Sequence, residues 1–176
     1  MNKKYFINTE KVYFIAEIGI NHNGDLKNAL KLIEESKKAG CDAVKFQKKS
    51  PRDSVPRHVW DTPKDTPWGK MTYIEYKERM EFNKKQYKEI IKFCKKLKID
   101  WSASCWDLKS VDFMEDLNIP YYKVASASIT DLKLLKRIKK TKKPVIISTG
   151  MSTLKQINNA VKILGSKIEN HELFPE

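Results

Sequence analysis

Residues 12–47, which read VYFIAEIGINHNGDLKNALKLIEESKKAGCDAVKFQ, decide the fold class. The run 12–20 is apolar and rich in β-branched residues, which predicts a buried strand. Asp25 can cap a helix that ends at Gly40, and residues 42–47 predict a second strand. A strand, a helix and a second strand in this order form a βαβ unit with parallel strands.

The same alternation continues to about residue 165. Further strands are predicted at residues 100–104, 121–125 and 145–148. Helices are predicted to begin near Asn83, near Asp107, at Thr130 or Asp131, and at Ser152 or Thr153. Five strand–helix units indicate an α/β fold with a parallel sheet and helices packed outside it. The exception is residues 48–82, a long inserted loop with four prolines and two tryptophans, which we expect to form an ordered wall over the strand ends.

Composition excludes several classes of protein. Hydrophobic residues make up 40% of the chain, so disorder is not expected as its main state. No apolar run reaches the roughly 20 residues of a membrane span, and no secretory signal precedes the first strand, so we expect a cytoplasmic protein without a membrane partner. The net charge of +13 comes mostly from lysine, which favours a solvated surface over a nucleic-acid interface.

Two lysines lie inside otherwise apolar strands, and they give the clearest functional signal. Because a buried charge is costly unless it is paired, Lys45 and Lys123 each require an anion. Hydroxyl side chains stand near the carboxyl ends of neighbouring strands, at Ser104, Ser126 and Ser148. Ammonium and hydroxyl groups together are suited to bind phosphate or carboxylate. Two alternatives stay open: a structural carboxylate such as Glu17 could pair with each lysine, or one lysine could form a Schiff base.

Two further polar residues come from the first strand and the loop after it. Glu17 lies in the middle of the apolar strand, and it is either a structural partner of a lysine or a general acid/base. His22 follows the strand directly, and a single histidine there is more often a structural loop residue than a metal ligand.

Four segments resemble the sialic acid synthase family, which includes the N-acetylneuraminate, legionaminate and pseudaminate synthases. They are residues 14–47, 65–82, 121–135 and 143–157. The NHNG turn, the KFQ strand and the STGMST turn are specific in combination. The resemblance extends from about residue 12 to about residue 165.

The resemblance implies a TIM (β/α)8 barrel. A complete barrel has eight units in roughly 250 residues, so the five units predicted here imply an incomplete one. Residues 1–176 would form the N-terminal part of a single synthase domain, and the family's C-terminal antifreeze-like domain would be absent. We expect that such a chain is marginally stable and inactive in isolation, and that the complete enzyme is a homodimer.

The resemblance also implies a reaction. Phosphoenolpyruvate condenses with an N-acylated hexosamine aldehyde, of the N-acetylmannosamine type, and water, giving a nine-carbon sialic-type acid and phosphate for surface carbohydrate biosynthesis. A divalent metal, Mn²⁺ or Mg²⁺, assists, and its ligands would lie on later strands outside this chain.

Position by position, the resemblance implies Glu17 as the catalytic glutamate. It implies five ligands of phosphoenolpyruvate: Lys45, Ser104, Lys123, Ser126 and Ser148. It implies three sugar-side residues: Gln47, Asn21 and His22. Two other interpretations stay open, namely a truncated, non-catalytic fragment that needs a C-terminal partner and an anion-binding α/β module.

Overall fold

The computed structural model describes residues 12–165, and its centre is a parallel sheet of five strands. In spatial order these are β1 (Ile15–Gly19), β2 (Ala43–Lys48), β5 (Asp100–Cys105), β6 (Tyr122–Val124) and β7 (Val145–Ile147). The predicted parallel α/β architecture is confirmed. The first strand is shorter than residues 12–20. Residues 1–11 and 166–176 lie outside the described part. Both ends of the predicted domain, residues 1–176, therefore lie outside it, and so do the N-terminal residues on which the expectation of no secretory signal rests.

Within residues 12–165, seven α-helices accompany the strands. They are α1 (Leu26–Lys38), α2 (Pro51–Ser54), α3 (Tyr73–Arg79), α4 (Lys84–Leu97), α5 (Leu108–Asp116), α6 (Leu132–Lys140) and α7 (Leu154–Leu164). The predicted caps are confirmed: the Asp25 carboxylate accepts from the backbone of Lys27, and Asn83 begins α4 with a capping box. Among residues 12–165, no helix is long and apolar enough to cross a membrane.

The two faces of the parallel sheet differ in polarity, because successive strand residues point to opposite sides. Val44 and Phe46 of β2, and Ala103 and Cys105 of β5, belong to the apolar core beneath the helices. The alternate residues of the same strands therefore lie on the other face: Lys45, Gln47, Ser102 and Ser104. This face carries the candidate site.

The prediction of a long loop at residues 48–82 is corrected by the structure, because this segment contains regular elements. These are α2, a 3₁₀ helix at Arg57–Val59, an antiparallel hairpin of β3 (Pro63–Thr66) and β4 (Gly69–Thr72), and then α3. Trp60 is buried and its Nε1 donates to the Val55 carbonyl at 2.9 Å. The Lys48 ammonium lies 2.8 Å from the Glu81 carboxylate, so a buried ion pair joins the two ends of the segment.

Candidate functional site

Lys45 is the buried cation of the polar face. It stands opposite Glu17 in the register of β1 and β2. Its Nζ lies 2.6 Å from Glu17 Oε2 and donates to Ser104 Oγ at 3.0 Å. Lys45 is only 2% exposed, whereas the Glu17 side chain is 61% exposed. The structural pairing that the sequence left open is therefore present for Lys45, and the carboxylate of that pair faces solvent.

Lys123 lies on the neighbouring strand, opposite Ser104 in the register of β5 and β6. It is partly buried, and within residues 12–165 its ammonium has no hydrogen-bond or ion-pair partner. Burial lowers the pKa of Lys123, the positive charge of Lys45 lowers it further, and the Glu17 carboxylate acts in the opposite direction. Two cations and one carboxylate thus share a small region, and one of the cations lacks a counter-ion in the described chain.

The loops after β6 and β7 bring two hydroxyl groups to the same end of the sheet. Ser126 begins a 3₁₀ helix directly after β6, and the Ser148 amide donates to the Val124 carbonyl at 3.0 Å. A Cβ placed on Gly150 would lie 3.8 Å from Ser126 Oγ, so the two loops adjoin. Within the described residues, neither serine hydroxyl has a hydrogen-bond partner, and both are therefore free to bind a ligand.

His22 lies in the loop after β1 and is almost fully buried. Its Nδ1 accepts from the Gly24 amide at 3.0 Å, and its ring stacks on Phe82 with 4.1 Å between centroids. Burial lowers the pKa of His22 to about 4, although a hydrogen bond with the Gly19 backbone acts in the opposite direction. The imidazole thus packs the loop after β1 against Phe82, at the end of residues 48–82. A contact between His22 and the sugar stays a prediction.

The other two predicted sugar-side residues occupy different positions. Asn21 is exposed in the same loop, where its backbone N–H donates to the Ile18 carbonyl at 3.0 Å. Gln47 lies near the end of β2, and its backbone carbonyl accepts from the Tyr87 hydroxyl at 3.2 Å. Gln47 also lines a cavity of about 190 Å³ between the strand ends and residues 48–82. Of the three predicted sugar-side residues, Gln47 is the one that lines this cavity.

The charged residues of this cavity were not among the predicted site residues. Besides Gln47, its polar wall contains Lys49, Ser54, Tyr73, Lys77 and Glu81. Lys45 and Lys123 do not line it. The available signal was the position of Lys48 and Lys49 directly after the KFQ strand, where a parallel sheet presents ligand-binding residues.

The resemblance implies a divalent metal. Residues 12–165 contain no group of three or more His, Cys, Asp or Glu side chains that could hold a metal ion. The described residues therefore do not provide a metal site.

Known proteins share both the sequence and the fold. The family model described as the NeuB family matches residues 32–174. An N-acetylneuraminate-9-phosphate synthase of Drosophila melanogaster is 41% identical over 157 residues, which are 88% of this chain and 42% of that protein. An N,N'-diacetyllegionaminic acid synthase of Campylobacter jejuni is 36% identical over 170 residues, 94% of this chain and 51% of that protein.

A solved structure of a similarly named enzyme shares the fold of this chain. The crystal structure of the N-acetylneuraminic acid synthetase from Leptospira borgpetersenii, in complex with citrate, superposes with a TM-score of 0.74 at 27% identity. The match covers 87% of this chain and 50% of that one. The chain thus spans about half the length of the relatives that it matches. With most of its residues inside the family model, the chain belongs to the NeuB family, that of the sialic acid synthases and the related legionaminic and pseudaminic acid synthases.

Proposed function

We propose that this chain supplies the phosphoenolpyruvate-binding part of a sialic-type acid synthase. The observation that carries the proposal is Lys123, a partly buried ammonium next to Lys45 with no partner in residues 12–165. A phosphate or carboxylate is the group that such an arrangement binds best. Phosphoenolpyruvate offers both groups.

The binding roles follow from the positions of the side chains. Lys123 donates to one anionic group of phosphoenolpyruvate, and the free hydroxyls of Ser126 and Ser148 donate from the adjoining loops. Lys45 and Ser104 hold each other in place from the neighbouring strands. Placing the ligand at the carboxyl ends of parallel strands agrees with the general location of sites in such sheets.

Glu17 lies at the exposed side of this group and takes the role of general acid/base. In the proposed reaction, C3 of phosphoenolpyruvate forms a bond to the aldehyde carbon of the acceptor, and the aldehyde oxygen gains a proton. Water then adds at C2, which gives a tetrahedral intermediate. Cleavage of the C2–O bond releases phosphate and leaves the keto group. The exposed Glu17 carboxylate, beside the Lys45 ammonium, accepts a proton from the attacking water.

These residues do not determine which sugar is the acceptor. The names of the relatives include a 9-phosphate synthase and a diacetyllegionaminic acid synthase, whose products differ in substitution. An N-acylated hexosamine aldehyde, as in the resemblance, is the class that we propose. A homodimer and a Mn²⁺ or Mg²⁺ ion bound by other residues of the complete enzyme belong to the same proposal.

The chain alone is expected to bind phosphoenolpyruvate without completing the reaction, so the function is tested by binding. The chain is titrated with phosphoenolpyruvate, and the affinity is measured by calorimetry. Binding that is weakened in Lys123→Met and kept in Lys136→Met, an exposed lysine of α6, supports the proposal. Phosphoenolpyruvate that is not bound contradicts it.

A further inference from the structure

The positive charge of the chain is concentrated around α6 and α7. Residues 126–165, which contain these helices and the loops before them, hold nine basic residues and one acidic residue, Asp131. They therefore carry +8 of the net charge of +13. Asp131 caps α6, and Arg137 is paired with Asp112. Within residues 12–165, no carboxylate lies within ion-pair distance of the lysines of these two helices.

Two of these lysines stand at the end of the helices that adjoins the candidate site. Lys133 and Lys155 are each the second residue of their helix, and both are exposed. Because a helix that follows a parallel strand begins at the carboxyl end of that strand, both lie on the strand-end side of the sheet. The loops before them carry Ser126 and Ser148, and these loops adjoin each other. The two lysines therefore border the approach to Lys123 from the side of β6 and β7.

This placement is unfavourable for the helices themselves. The N-terminus of a helix carries a partial positive charge, so a cation in the first turn is destabilising. Neither helix has an acidic residue in its first turn. Helix stability thus does not account for Lys133 and Lys155. Seven residues later on the same helices, Lys140 and Lys162 lie in the last turn, where the helix dipole favours a cation.

The exposed charges differ between the two edges of the sheet. On β1, at one edge, the exposed group is the Glu17 carboxylate, which is paired with Lys45. At the other edge, β7 is followed by α7 with its exposed lysines. Phosphoenolpyruvate carries a phosphate and a carboxylate, so it is attracted more strongly to the side of β6 and β7.

We infer that Lys133 and Lys155 steer phosphoenolpyruvate into the strand-end site and raise its rate of association without contacting the bound ligand. The inference rests on the proposed function, because it takes Lys123 as the group that binds the ligand. Seven residues of helix span roughly 10 Å, which separates each of the two lysines from Lys140 or Lys162. Since exposed charges are largely screened beyond about 8 Å at physiological ionic strength, the lysines nearer to the site have the larger effect.

The test compares two double variants that change the net charge by the same amount. Lys133→Gln/Lys155→Gln removes the near pair, and Lys140→Gln/Lys162→Gln removes the matched pair about two turns further along the same helices. Phosphorus NMR line shapes of phosphoenolpyruvate, recorded with the whole chain at about 0.15 M salt, give its association and dissociation rates. We expect the near-pair variant to slow association by about threefold and to leave dissociation unchanged. The far-pair variant should change both rates little, and about 1 M salt should remove the difference between the variants.

Three results would overturn the inference. Equal association rates of the two variants would show that placement does not matter. Faster dissociation from the near-pair variant would show that these lysines contact the bound ligand. A difference that persists in high salt would exclude long-range attraction as its cause. Because the near pair opposes the helix dipole, its removal should not lower the melting temperature, so slower association would not reflect loss of the fold. Failure of the proposed function gives a different pattern, in which phosphoenolpyruvate does not bind to the unmodified chain.

Discussion

Lys45 Nζ lies 2.6 Å from Glu17 Oε2, and only the glutamate of this pair is open to solvent. A buried ammonium therefore depends for its charge balance on a carboxylate that water and ligands can reach. An anionic ligand at the strand ends would approach Lys45 against the negative charge of Glu17. We therefore expect an anionic ligand at the strand ends to change the stability of the sheet.

Replacing Glu17 tests its effect on the stability of the fold and its effect on ligand binding separately. In Glu17→Gln, Lys45 stays buried without a carboxylate, so the free energy of unfolding should fall by about 1–2 kcal/mol. Phosphoenolpyruvate should restore part of this loss, because it supplies the missing anion. Denaturant unfolding with and without ligand measures both. Glu34→Gln, which removes an exposed partner of Lys38, is the control and should change little. Equal stabilisation of wild type and Glu17→Gln by the ligand would contradict the expectation.

The loop after β1 packs closely on α3 through Gly24. Its φ is +70°, and a Cβ there would lie 2.2 Å from the Arg79 carbonyl oxygen. Gly40 also has a positive φ, +84°, but nothing lies within 4 Å of its Cβ position. Gly40→Ala should therefore lose about 1 kcal/mol of stability from backbone strain alone. Gly24→Ala should lose about 1–3 kcal/mol more from the steric overlap. Thermal unfolding of the two variants provides the comparison, and equal losses would show that the loop is not fixed against α3.

The buried imidazole of His22 predicts a dependence of stability on pH. Its pKa is about 4 in the folded chain and about 6.5 when unfolded, so between these values the unfolded chain binds more protons. The stabilisation is complete above pH 6.5 and is lost as the pH falls towards 4, with a total of about 1–3 kcal/mol. His22→Gln should flatten this slope, whereas His58→Gln, at an exposed position, should keep it. A slope that survives His22→Gln would assign the proton uptake to other groups.

The Lys48–Glu81 pair fastens the ends of residues 48–82. Lys48 Nζ donates to Glu81 at 2.8 Å and to the Phe82 carbonyl at 3.1 Å. Glu81→Gln should lower the free energy of unfolding by about 3 kcal/mol, since it leaves a buried charge without its partner.

The double variant Lys48→Met/Glu81→Leu should be more stable than Glu81→Gln, because it removes both charges together. Glu78→Gln, which breaks the more exposed pair with Arg52, should change stability far less. Chemical denaturation ranks the three variants. If Glu81→Gln proved no worse than Glu78→Gln, the pair would not hold the segment.

Much of the fold could be predicted because its signals are local. Asp25, Asn83 and Asp107 begin helices by accepting bonds from amides two or three residues ahead, so spacing alone located them. The hairpin of β3 and β4 was missed. Its strands are mostly polar and include Pro63, so they lack the alternating pattern that indicates a strand.

The candidate site was predictable only in part, for a different reason. A lysine in an apolar strand shows that a counter-ion is needed, but not which one. Lys45 forms an ion pair with Glu17 of β1, whereas Lys123 forms none within residues 12–165. Which lysine is paired depends on the register of the strands, which the sequence pattern does not show. The burial of His22 depends likewise on Phe82, sixty residues away in the chain.

The central claim is that the ammonium of Lys123 receives an anionic group of phosphoenolpyruvate. The most direct measurement is a calorimetric titration of phosphoenolpyruvate into the unmodified chain, Lys123→Met and Lys136→Met. We predict saturable binding that Lys123→Met weakens by about tenfold or more and Lys136→Met leaves unchanged. Equal affinity of all three proteins, or no binding to the unmodified chain, would contradict the account.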